Sequence, residues 1–121
     1  MRRISYDVSI RLPVGGLDGK YVTACWLGNI TWNVRELIKQ SSGWDIKNED
    51  SNGDVLAWMG LIEDRILELE SRPEEYEKYE SPNGCGTIRE TISFYNCCLD
   101  NSINWIRQNE DLLPVAVIWV S

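Results

Sequence analysis

Ten residues of strict alternation, from Arg3 to Leu12, constrain the fold more than any other feature of this sequence. Every second residue in this stretch is apolar and the others are polar or charged. A period of two predicts a β-strand with one face on a core and one in water. Pro13 ends the pattern, a glycine-rich turn follows, and the β-rich segment Tyr21 to Leu27 is its predicted return strand, ended by Gly28. The two strands are expected to form a hairpin.

Three helices are predicted after the hairpin. The first begins at a capping box of Asn33 and Glu36 and ends near Gln40, and residues 44–53 form a polar loop. The second covers residues 54–71, and the third begins at Thr87, in a second capping box with Glu90, and ends near residue 108. The last two carry apolar stripes at helical spacing: Val55, Trp58, Met59, Ile62, Ile66 and Leu69 in the second helix, and Ile88, Ile92, Tyr95, Leu99, Ile103 and Ile106 in the third.

An apolar run from Leu113 to Val120 predicts a final strand, which we place beside the first. The predicted order is therefore β-β-α-α-α-β. We expect residues 1–121 to form a single α+β domain, with a small antiparallel or mixed three-stranded sheet and helices packed on one face.

The charge balance restricts the partners that this protein can bind. Its 121 residues include 19 acidic and 12 basic side chains, a formal net charge of -7. Such a field repels nucleic acids and anionic lipids, so we expect neither direct nucleic-acid binding nor membrane binding. The start Met-Arg-Arg leads directly into the first strand with no apolar leader, which favours a cytoplasmic protein.

Several kinds of chemistry are excluded by composition. There is no histidine, which removes Ser-His and Cys-His dyads and imidazole metal ligands. The four cysteines form no Cys-x-x-Cys pair, and the glycines match no phosphate-binding loop. Asp64 and Glu68 are spaced to share a helix face, but they lie among other acids on the side expected to face water. We therefore expect no catalytic residues, no metal and no cofactor.

The segment Ser81-Pro82-Asn83-Gly84-Cys85-Gly86 is an elbow before the last helix. With Thr31-Trp32-Asn33, it resembles a family of small uncharacterised bacterial and phage-associated proteins that have Thr-aromatic-Asn before the first helix and a Pro-Asn-Gly-Trp-Gly-like motif before the last. Cys85 stands where the family has tryptophan, which favours a packing contact over a nucleophile. The resemblance implies a mobile-element setting and no known activity.

Residues 63–80 are the most charged stretch, with eight acids against three basic residues. We predict that this stretch binds a basic protein partner; in one version of this prediction its carboxylates mimic the phosphates of nucleic acid. A small-ligand or metal-binding domain with a tryptophan-lined site is the alternative, and catalysis through Cys85 or Glu90 is a third hypothesis. The open sheet edge also allows a homodimer. The predicted binding residues are Glu63, Glu68, Glu70, Glu74, Glu75, Glu77, Trp32 and Trp44.

Overall fold

A computed structural model describes residues 5–15, 19–42, 53–82 and 84–121, and at positions 32, 42 and 53 it describes the backbone alone. Trp44 and most of the predicted loop at 44–53 therefore lie outside the described residues. The strands are β1 (Ser5–Pro13), β2 (Tyr21–Thr31), β3 (Gly53–Asp54) and β4 (Val117–Val120). Their order in the sheet is β2-β1-β4-β3, with every pairing antiparallel.

The helices are α1 (Arg35–Ser42), α2 (Val55–Ser71), α3 (Pro73–Tyr76) and α4 (Ile88–Gln108), with 3₁₀ turns at Trp32–Val34, Glu77–Tyr79 and Glu110–Val115. The predicted α+β class, the order β-β-α-α-α-β and the place of the last strand beside the first are confirmed. The two-residue β3, which extends the sheet beyond β4, was not predicted.

The prediction that Gly28 ends the second strand is wrong. Pairing with β1 continues through Gly28 to Thr31, and the register shifts twice, so that Leu27 and Ala24 are extra residues at bulges. A Cβ at Gly28 would lie 2.9 Å from Cys98 Sγ of α4. Gly28 therefore allows α4 to approach the sheet closely.

The bulge at Leu27 is tied to α4. The Leu27 carbonyl oxygen accepts hydrogen bonds from Asn101 Nδ2 at 2.7 Å and from Cys97 Sγ at 3.5 Å. An extra residue at a bulge locally disrupts the ladder of hydrogen bonds, and side chains of the covering helix supply donors here. The bulge thus fixes how α4 lies across β2.

Two further boundaries differ from prediction. Asn33 lies inside a 3₁₀ turn, and the carboxylate of Glu36 accepts from Gln40 Nε2 at 2.7 Å, so the predicted capping box is wrong. The last strand begins at Val117 rather than Leu113, because residues 110–115 form a 3₁₀ turn that contains Pro114. Proline has no N–H to donate to a strand ladder.

The core lies between the sheet and the helices. Tyr6, Val8 and Ile10 of β1 are fully buried on the face that the helices cover. The stripe predicted for α2 is confirmed, with four of its members buried and Met59 and Ile66 partly buried.

The stripe predicted for α4 is only partly right, because Ile103 is exposed. The buried side of α4 includes Thr91 and Ser102, whose hydroxyls donate to the carbonyls of Thr87 and Cys98 at 2.9 and 2.7 Å. Small polar residues are tolerated inside a core when their hydroxyls donate hydrogen bonds to carbonyls of their own helix. A pattern of apolar residues does not include such positions, so it predicted the buried face of α4 only in part. Within the described ranges, no helix combines the length and apolarity needed to cross a membrane.

Candidate functional site

The elbow packs against the 3₁₀ turn that follows β2. Gly84 and Gly86 have φ of +82° and +78°, a conformation that glycine adopts without strain. A Cβ at Gly86 would lie 3.0 Å from the backbone carbonyl carbon of Asn33. The two segments that carry the family resemblance are therefore in contact, although about fifty residues separate them.

The elbow also caps α4. Thr87 Oγ1 accepts from the Glu90 N–H at 3.1 Å, which confirms the predicted N-cap. The Glu90 carboxylate accepts from the Gly86 N–H at 3.3 Å, and the Glu80 carboxylate accepts from the Ile88 N–H at 2.8 Å. Glu80, counted in the sequence only as one acid among eight, is thus a second capping group. These contacts account for the elbow by structure alone.

Two of the four cysteine thiols, those of Cys25 and Cys98, are poorly suited to nucleophilic chemistry. Cys85 is exposed at the elbow, and no disulfide joins the four cysteines, all of which lie in described residues. Burial raises the pKa of the Cys98 thiol far above its usual range, with a smaller contribution from the neighbouring Cys97, and burial also raises the pKa of Cys25. A raised pKa disfavours the thiolate, which is the reactive form.

The six predicted acids form what we call the acidic surface, made of Glu63, Glu68, Glu70, Glu74, Glu75 and Glu77. They lie on α2, α3 and the 3₁₀ turn that follows, and all except Glu68 are exposed. Glu68 accepts a hydrogen bond from Tyr76 Oη at 2.6 Å and lies 3.7 Å from Arg72 Nε. Arg72 also lies 3.9 Å from Glu75. Glu68 therefore joins α2 to α3, and the other five acids leave most of their charge in solvent.

The Glu68 contact raises the pKa of Tyr76. The main cause is the hydrogen bond itself, followed by burial and by the negative charges of Glu68 and Glu75.

Asp64 is exposed, and among the described residues no group of three acid or thiol side chains is close enough to hold a metal ion.

Sequence reasoning missed a second feature of α2, its outer face. Leu56, Leu61 and Leu67 are 54%, 42% and 61% exposed; we call these three residues the leucine face. At about 100° per residue, Leu56 and Leu67 lie three helical turns apart on one flank of the buried stripe, and Leu61 lies about 140° around the helix from Leu56, on the other flank. The signal was visible in the sequence, because these leucines do not fit the predicted stripe.

Gly60 lies within the leucine face at mid-helix. Its φ is not in the left-handed region, and, apart from its chain neighbours and its own helix backbone, no described atom lies within 4 Å of the position that a Cβ would occupy. Glycine at such a position costs about 1 kcal/mol relative to alanine. Neither backbone conformation nor packing within the described residues requires this glycine.

Two clefts flank Arg89 at the start of α4. The first, about 460 Å³, lies between the end of β2 and α4 and is lined by Asn29, Thr31, Glu90 and Ser93 among others. The second, about 390 Å³, lies between the C-terminal end of α2, α3 and α4; we call it the α2–α4 groove. Arg89 and Ser93 line both.

The tryptophans with described side chains do not line these clefts. Trp58 and Trp105 are buried in the core, whereas Trp26 is exposed on the outer face of the sheet and donates to Asp7 Oδ1 at 3.3 Å. Arg11 stacks on the ring of Trp119 at 4.4 Å. The side chain of Trp32 and the whole of Trp44 lie outside the described part of the chain, so their predicted binding role stays a prediction.

Comparison with known proteins found no match to this chain among protein-family models, curated proteins or solved structures.

Proposed function

We propose that this protein is a small non-catalytic binding domain, an accessory factor of a bacterial or mobile-element system, that recognises a basic partner protein through α2 and the acidic surface. The observation that carries the proposal is the leucine face. The solvent-exposed part of a helix that serves only for solvation is polar, whereas that of α2 carries three leucines together with the exposed carboxylates of Glu63 and Glu70.

Apolar and acidic groups play different parts in such an interface. Covering a half-exposed leucine contributes on the order of 1 kcal/mol, so the leucine face supplies affinity. The carboxylates select a basic partner and accelerate its association. Gly60 supports the same reading, since a missing side chain lets a partner approach the α2 backbone closely.

The cellular setting is supported by the resemblance of Thr31-Trp32-Asn33 and the elbow to small phage-associated proteins. A version in which the acidic surface imitates nucleic acid is supported by the net charge of -7 and the exposed row of five acids. In that version, duplex DNA competes with this protein for its partner.

The alternative function, a small-ligand domain, is favoured by the first cleft. Its walls bring Asn29 and Thr31 of β2 opposite Arg89 and Ser93 of α4. A thermal-shift screen of small carboxylic acids separates the two functions, because the alternative requires a saturable rise in Tm that Arg89→Gln abolishes.

The main proposal is tested with a short amphipathic peptide of leucine and lysine as a model for a basic partner surface. We expect the double variant Glu63→Lys and Glu74→Lys to weaken binding by about tenfold or more, since two favourable charges become repulsive. The amide NMR shifts caused by the peptide should map to α2 and α3, and added salt should weaken binding.

The matched control is Glu110→Lys with Asp111→Lys, which makes the same change in net charge on an exposed turn outside the acidic surface. This control should bind the peptide within about twofold of the original protein, because exposed charges beyond a Debye length are screened. Equal losses in both double variants would mean that the peptide senses net charge only, and the proposed surface would be wrong.

A further inference from the structure

The α2–α4 groove has an apolar floor and an acidic rim. Leu69, Pro73, Ile88 and Ile92 supply the apolar lining. Its volume of about 390 Å³ is at the lower end of the roughly 300–1,000 Å³ usual for ligand sites. The groove therefore has room for one long side chain and not for a helix or a strand.

Three carboxylates, from Glu70, Glu77 and Glu80, line the groove against the single guanidinium of Arg89. Glu80 is already engaged as a cap of α4, where it accepts from the Ile88 N–H. Among the described residues, the carboxylates of Glu70 and Glu77 have no hydrogen-bond or ion-pair partner. The groove thus has a net negative charge and two carboxylates that are available to a ligand.

The combination of floor and rim selects the occupant. An anionic ligand is repelled, and a wholly apolar one would cover the carboxylates without pairing them, which is unfavourable. A long cationic side chain satisfies both parts, because its methylene stem covers apolar surface while its charged head remains at the rim. Arginine fits better than lysine here, since its planar guanidinium has five donors that can pair two carboxylates at once.

We propose that the α2–α4 groove binds an arginine side chain presented by the basic partner, with the stem on Ile88 and Ile92 and the guanidinium between Glu70 and Glu77. The inference rests on the proposed function, because it supplies the anchor residue for the same partner. Buried arginine anchors in pockets are frequent sources of binding energy at protein interfaces.

The test uses the whole protein labelled on isoleucine methyl groups and three small probes. These are the blocked amino acids N-acetyl-arginine methylamide, its uncharged near-isostere N-acetyl-citrulline methylamide, and N-acetyl-norleucine methylamide. We expect the arginine probe alone to shift the Ile88 and Ile92 methyl signals in a saturable way. The exposed Ile103 on the same helix provides an internal control whose signal should not move.

Two variants with opposite expected effects sharpen the test. Glu70→Gln with Glu77→Gln keeps the shape of the rim and should weaken the arginine probe by about tenfold. Arg89→Gln removes the competing positive charge and should strengthen it by about threefold. Glu110→Gln with Asp111→Asn, the matched control, should leave its affinity unchanged. Equal shifts from citrulline, or unchanged affinity in the Glu70 and Glu77 double variant, would overturn the proposal.

The experiments can contradict the groove proposal and the proposed binding surface independently of each other. If the leucine and lysine peptide depends on Glu63 and Glu74 but the arginine probe does not bind, the groove proposal is wrong and the binding surface stands. If the arginine probe binds in the groove but the peptide is indifferent to Glu63 and Glu74, the groove stands and the proposed surface is wrong.

Discussion

The elbow and the leucine face differ in one respect: contacts within the fold explain the unusual residues of the elbow, but they do not explain those of the leucine face. At the elbow, the positive φ of Gly84 and Gly86 shapes the turn, and Glu80, Thr87 and Glu90 accept backbone N–H groups there. On the leucine face, the exposed leucines and Gly60 have no such role within the described residues. The difference teaches that a conspicuous motif can be explained by folding contacts, while an inconspicuous helix face is the better candidate for a binding surface.

The largest effect on stability is expected for substitution of the elbow glycines. Gly86→Ala should lower the free energy of unfolding by about 2–3 kcal/mol, because the added Cβ meets Asn33 in a backbone conformation that is itself strained for alanine. Urea denaturation measures the change.

The matched variant is Gly84→Ala, which has the same sign of φ but, apart from its chain neighbours, no described atom within 4 Å of the added Cβ. It should cost only about 1 kcal/mol. Equal costs for the two variants would show that the contact between the elbow and the 3₁₀ turn contributes nothing.

The second test is on the leucine face and has the opposite sign. Gly60→Ala should raise the free energy of unfolding by about 1 kcal/mol, because alanine is the better helix former and its side chain meets nothing in the described structure. The same change should weaken binding of the leucine and lysine peptide by about fivefold or more, if a partner needs the space.

Asn104→Ala, on the exposed side of α4, provides the control for Gly60→Ala. It should also stabilise the protein, by about half of a kcal/mol, and leave peptide binding unchanged. A Gly60→Ala protein that is more stable and binds the peptide as before would remove the reason for assigning the glycine to an interface.

The prediction with the smallest expected effect tests whether Glu68, unlike the other acids of the acidic surface, contributes to stability. Tyr76→Phe should cost roughly 0.5–1 kcal/mol at neutral pH, since it removes the hydrogen bond to Glu68. The pKa of Tyr76 is raised in the folded protein, so this contribution is complete below the unfolded value of about 10. It is lost as pH rises from there through the higher pKa of the folded state.

A double-mutant cycle of Tyr76→Phe with Glu68→Met, which removes the acceptor oxygen, isolates this pair when measured by denaturation at neutral pH and at alkaline pH. The coupling energy should be present at neutral pH and decline at alkaline pH. A coupling that is zero at neutral pH would place Glu68 with the other solvated acids and would contradict its structural role.

Features of local origin were predictable from the sequence. The alternation in β1 and the stripe on α2 depend on spacing within one element, and the Thr87 cap depends on residues within one turn. These interactions form between neighbours in the chain, so their residue types are sufficient to indicate them.

The rest was decided by contacts between distant segments. β2 extends past Gly28 because it continues to pair with β1 there, and Glu80 becomes a cap because the turn after α3 brings it to the start of α4. The six candidate acids could be named from the sequence, but their division into a helix-joining Glu68, the groove carboxylates and the exposed remainder could not. That division depends on how α2, α3 and α4 pack, and packing joins residues that no short-range pattern connects.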